Sequence, residues 1–93
     1  MSEELLRRTV DLALEYLSGL PGRHVGAEAD AAAVVGRMGG PLPDDGEDAV
    51  AVIERLVSDV DPGLVASAGP RFFGFVFGGT LPAALAADWL TAA

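Results

Sequence analysis

Turn-forming residues constrain this chain more than any other feature. Twelve glycines and six prolines fall within 93 residues, and many are clustered: Pro21-Gly22, Gly39-Gly40-Pro41, Asp61-Pro62-Gly63 and Gly78-Gly79. Proline fixes φ and has no N–H to donate, whereas glycine tolerates backbone that side chains forbid, so each cluster is a turn signal. Only short elements fit between the clusters, and a chain of this length closes at most one small core.

The intervening segments have helical periodicity. In the first, Leu6, Val10, Ala13 and Leu17 step by four, three and four, and Leu5, Leu12 and Tyr16 widen that face. This spacing predicts a helix over residues 3–18, with Ser2 as N-cap, Glu3 and Glu4 at the positive end of its dipole, and Gly19 as a left-handed C-cap ahead of Pro21. With nearly two apolar stripes, the helix is expected to pack on more than one neighbour. Residues 21–43 read as connector, within which Asp30 can cap a short helix over 30–38 with Ala31, Val34, Val35 and Met38 on its apolar side. Val50, Ile53, Val57 and Val60 step by three, four and three, with Leu56 joining them, which predicts a helix over 45–60. Asp44 followed by Glu47 resembles a capping box at its start, and Asp61-Pro62-Gly63 ends it.

Pro70 to Gly79 holds all four phenylalanines and fits neither a helical nor a strictly alternating period. It is expected to be an extended, largely buried strip or short strand. Thr80 is the candidate cap of a last helix over 81–93, with Pro82 in its first turn and stripes of Leu81, Leu85 and Trp89 and of Ala86, Leu90 and Ala93. No glycine, polar turn or basic residue closes that helix, which suggests a truncated domain. The expected fold class is therefore mainly α: three main helices plus an aromatic strip.

Composition excludes several functions. Fourteen acids face six arginines and no lysine, for a net charge of −8, which repels nucleic-acid phosphates and anionic membranes alike. There is no cysteine, so disulfides, thiolate metal sites and cysteine nucleophiles are absent, and a reducing cytoplasm fits that usage. The N-terminus is acidic where a signal peptide would be basic. The most apolar run, Phe72 to Leu90, is broken by three glycines, Pro82 and Asp88, so it makes a poor membrane span.

Few residues offer chemistry. Gly78-Gly79-Thr80 opens a helix and could cradle a phosphate, but no lysine follows it as in a P-loop, and close backbone passage with a threonine cap is the simpler reading. Arg71 suits a carboxylate, a phosphate or a ring, with a structural ion pair the preferred reading. His24 is the only histidine and has no candidate metal-binding or catalytic partner. The acids Asp44, Asp45, Glu47 and Asp48 lack the spacing of a calcium loop and suit a helix start instead. The phenylalanines could wall a pocket, fill a core or face a missing partner.

Three runs together resemble a known family. Asp61-Pro62-Gly63-Leu64, Gly69-Pro70-Arg71-Phe72-Phe73-Gly74-Phe75-Val76 and Gly78-Gly79-Thr80-Leu81-Pro82-Ala83-Ala84-Leu85-Ala86-Ala87-Asp88-Trp89-Leu90 are similar to the start of the group II pyridoxal-phosphate-dependent amino-acid decarboxylases, of the aspartate aminotransferase (fold-type I, α/β) superfamily. Residues 43–63 agree in style, and residues 1–42 match only as a generic helix and connector. The resemblance implies a cytoplasmic, homodimeric carboxy-lyase of carboxylic acid metabolism, of which this chain would be the N-terminal segment, with the domain that binds pyridoxal 5'-phosphate absent from it.

In that family a lysine holds the cofactor, and the groups around the cofactor ring lie far downstream, so the resemblance assigns no catalytic and no cofactor-binding residue here. It does imply that the N-terminal helices pack on the second subunit, and that Phe75, Val76, Phe77, Gly78 and Gly79 help to wall the pocket for the amino-acid substrate. Aligned without gaps, Phe75 to Gly78 fall where animal aromatic-amino-acid decarboxylases carry Tyr-Phe-Pro-Thr. Only the aromatic character at Phe75 is kept, which argues against an aromatic substrate. The partners implied are the rest of the enzyme and a second subunit, with no nucleic acid, membrane or metal. The rival readings are a stand-alone acidic helical module that binds a protein partner, and a small-anion binder built on Gly78, Gly79 and Thr80.

Overall fold

A computed structural model describes residues 2–93. They form four α-helices and two 3-10 turns, with no β-strand among the described residues. The mainly helical class expected from periodicity is what is found. Helix α1 spans Glu3–Gly19, α2 Ala31–Met38, α3 Ala49–Val60 and α4 Pro82–Ala92. Short 3-10 turns over Leu20–Gly22 and Asp61–Gly63 follow α1 and α3, each with a proline in its first positions.

Caps set the helix starts. Ser2 accepts from the Leu5 N–H, Asp30 from Ala33 and Asp48 from Ala51, each taking up a donor that the first turn leaves unpaired. Asp48 rather than Asp44 therefore opens α3, four residues later than the expected box places it. Gly46 lies between the two candidates and is a poor helix former, which favours the later start. Thr80 does not cap α4. The N-cap position falls to Leu81, with no side-chain hydrogen bond, because Pro82 needs no donor partner and holds the residue before it in extended backbone. Gly19 is right-handed (φ −82°) and continues into the 3-10 turn instead of forming a left-handed cap.

Helix α3 is the hub. It packs on α1 along one side and on α2 along another, and the turn after it closes against α2. The Arg8 guanidinium bonds Glu54 at 2.7 Å across the α1–α3 seam. The connector after α1 is tied to the segment after α3 by backbone bonds: Glu28 and Ala29 donate to the Pro62 carbonyl at 2.8 Å each, and Ala66 donates to Val25 at 2.8 Å. At Gly63, an added Cβ would lie 2.7 Å from Val34 Cγ2, so α2 meets the turn at a glycine.

Burial is sparse. Only Leu20 (7% exposed) and Ala66 (1%) are buried among the described residues. Gly69 sits beside them, its backbone close to the Leu20 and Ala66 carbonyls. One stripe of α1, with Leu12, Ala13, Tyr16 and Leu17, is half-covered, whereas Leu6, Val10 and Leu14 face solvent. The accessible surface is 7061 Å². A compact monomer of this mass exposes about 5,000 Å². The Cα radius of gyration of 15.2 Å likewise exceeds the ~12 Å of a compact chain of this length.

The aromatic strip departs most from expectation. It is neither largely buried nor a strand: the chain turns at Pro70-Arg71 and again at Phe75-Val76, and most of its side chains are exposed. Among the described residues no second extended segment pairs with it, and no layer covers it. Gly74 and the Gly78-Gly79 pair favour turns instead.

Candidate functional site

Two features share the end of the molecule formed by residues 64–92. One is an apolar groove of about 450 Å³ between the C-terminal half of α1 and α4, lined by Leu14, Leu17, Leu20, Pro82, Leu85 and Trp89 among others. Helix α4 packs directly on no other helix and forms one wall of this groove. The other is the aromatic strip itself.

Within the strip, the Phe72 and Phe77 rings stack with centroids 5.6 Å apart and planes inclined by 24°, and Phe75 tilts against Phe77 at 6.2 Å. The Phe77 N–H donates to the Gly74 carbonyl at 3.3 Å, closing a tight turn. Its two central residues, Phe75 (φ 55°) and Val76 (φ 59°), both lie in the left-handed region. Gly79 also has positive φ (84°), and an added Cβ there would meet the Ala68 carbonyl at 3.4 Å. The five residues expected at a pocket wall thus lie together on one exposed turn and its exit. None of them lines the groove, which takes Pro70 and Thr80 from either end of this segment.

The other sequence candidates have local structural roles. Arg71 donates to the Arg23 carbonyl and takes part in none of the ion pairs among the described residues, which corrects the expected ion pair. Its position after the Pro70 turn brings it to a backbone acceptor, not to an acid. His24 Nδ1 lies 2.8 Å from the Gly26 carbonyl, a contact within its own turn. Among the described residues no three His, Cys, Asp or Glu side chains gather as a metal site. Of the acidic cluster, Asp48 caps α3 and Glu47 bonds Arg55 at 2.6 Å.

Sequence reasoning missed Arg23. Its guanidinium bonds the Asp61 carboxylate at 2.7 Å and the Asp61 carbonyl at 2.5 Å, and stands 5.2 Å from the centre of the Tyr16 ring. Hydrogen bonding to Asp61 raises the Arg23 pKa above its ordinary value, and the guanidinium is charged at any physiological pH in its own right. Arg23 therefore joins the end of α1, the connector and the turn after α3. The only signal in the sequence is an arginine directly after a Pro-Gly turn, with an aspartate opening another.

The chain itself does not fit pyridoxal phosphate. It has no lysine to form the imine, and the start of α4 offers Pro82, which lacks an N–H, where a phosphate would need donors. The site can present an apolar, aromatic surface and little else.

Comparison with protein-family models, with curated proteins and with solved structures gave no match to this chain. No helix among the described residues is long and apolar enough to cross a membrane.

Proposed function

We propose that this chain is the N-terminal segment of a pyridoxal-phosphate-dependent amino-acid decarboxylase of the group II type, acting as packing surface and pocket wall and not as a catalyst. The observation that carries the reading is the run from Pro70 to Leu90, whose order of aromatic pair, glycine pair and Pro-Ala-Ala helix start resembles that family. The surface supports it: about 2,000 Å² more is exposed than on a compact chain of this mass, more than one partner's share of a standard interface. In this reading the chain is covered by the rest of the enzyme and by a second, identical subunit in the cytoplasm. Phe75, Val76, Phe77, Gly78 and Gly79 then stand at the edge of the amino-acid pocket, and the cofactor is held by residues outside this chain.

The test is borohydride reduction of the native gene product followed by peptide mass spectrometry. A pyridoxyl group on a lysine of a product several times heavier than 9.5 kDa is the expected result. A product of 9.5 kDa with no such group would overturn the reading. Purified alone, the 93-residue chain is expected to show no internal-aldimine absorbance after gel filtration.

A second reading has its own support. Leu6, Val10 and Leu14 form an exposed apolar stripe along α1, as in a helical module that binds a protein partner. This reading requires the isolated chain to be folded and monodisperse. Aggregation that broadens with concentration would argue against it.

A further inference from the structure

The turn over Gly74–Phe77 is strained, exposed and lightly held. Its central residues are an aromatic and a β-branched residue in left-handed backbone, a region that side chains enter at a cost and that Val enters most rarely. Both residues are almost fully exposed, Phe75 at 86% and Val76 at 102%, so neither is repaid by burial. A turn of this shape normally takes Asn-Gly at these two positions. What holds it closed is a single backbone bond from Phe77 to Gly74, the stack of Phe77 on Phe72 and the tilted contact of Phe75 with Phe77. The glycines at 74, 78 and 79 flank it, so the backbone can pivot on either side without steric hindrance.

We propose that Gly74–Phe77 is a two-state segment: a strained left-handed turn that folds the aromatic strip on itself, in exchange with an extended form that separates the rings. The closed form is favoured by the Phe72–Phe77 stack, and the open form by relief of strain at Phe75 and Val76. Strain at two left-handed residues opposes one ring stack, one tilted ring contact and one backbone bond, contributions of the same order, so neither form is held by a large excess. The inference goes beyond the proposed function and does not depend on it, since it rests on this chain's own backbone and side chains.

The experiment is amide ¹⁵N relaxation dispersion on the 93-residue chain, with intraresidue amide–Hα distances at residues 75 and 76, for the wild type and for Val76→Gly. Glycine removes the steric cost at the second central position and shifts the ratio of closed to open by roughly tenfold towards closed. Expected are exchange contributions confined to residues 74–77 in the wild type, their loss in Val76→Gly, and unchanged helicity, since Val76 touches no helix. Phe77→Ala, which removes the stack, is expected to lengthen the amide–Hα distances towards extended values. Flat dispersion with short distances in both wild type and Val76→Gly would show a single rigid turn and overturn the proposal. Long distances in both would show that the turn does not form, and would overturn it equally.

Discussion

Arg23 joins three segments through one side chain. It meets the Asp61 carboxylate and carbonyl and faces the Tyr16 ring, and its own carbonyl accepts from Arg71. The Asp61 side chain remains 46% exposed, so solvent screens the pair and its net worth is modest. Arg23→Ala is expected to cost about 1 kcal/mol in urea unfolding, more at low salt than at high. Arg23→Lys keeps the charge but loses the planar fork, and should recover less than half of that. Gly63 is the second sensitive residue. Valine is stiff at χ1 in a helix, so Val34 cannot swing away from a new Cβ placed 2.7 Å from its methyl. Gly63→Ala is expected to destabilise by about 1–2 kcal/mol, and adding Val34→Ala should relieve most of the clash. Neither contact was legible in the sequence, because each joins residues far apart in the chain and depends on the approach of two elements.

The helices were the legible part, because periodicity and capping act within a few residues. The starts show where local reasoning stops. Asp44 and Asp48 are both acids ahead of the same apolar stripe, and only the structure shows Asp48 bonded to the Ala51 N–H at 3.0 Å. Asp48→Ala is therefore expected to cost about 1 kcal/mol and some helicity by circular dichroism, and Asp44→Ala close to nothing. Equal losses from the two would restore the earlier start. The aromatic strip was misread for a different reason. Its composition favours burial, but burial requires a covering layer, and the described residues supply none. Four phenylalanines cannot reveal from their own sequence whether they are core, pocket wall or surface. At the candidate site, Phe75 to Gly79 were expected at a pocket wall by resemblance alone, and neither their turn nor the groove beside them could be read from the sequence, because both depend on backbone conformation and on how α1 and α4 are placed.

The chain as a whole is an arrangement of helices around a core that does not close. Leu20 and Ala66 are its only buried residues among those described, and large apolar side chains on α1, α3, the strip and α4 remain in water. Burial of apolar area is the main term that offsets chain entropy, so a 93-residue chain with this little of it is expected to fall below the usual ~5 kcal/mol lower bound of domain stability. Stability should be unevenly spread as well, with α1 and α3 braced against each other and α4 resting on no other helix. Amide hydrogen exchange of the isolated 93-residue chain tests the claim of an unclosed core most directly. The account predicts weak protection in α1 and α3 and almost none in α4 and across residues 70–79. Strong protection that spans all four helices and is lost in one cooperative step would contradict it, because that would require a core this fold does not contain.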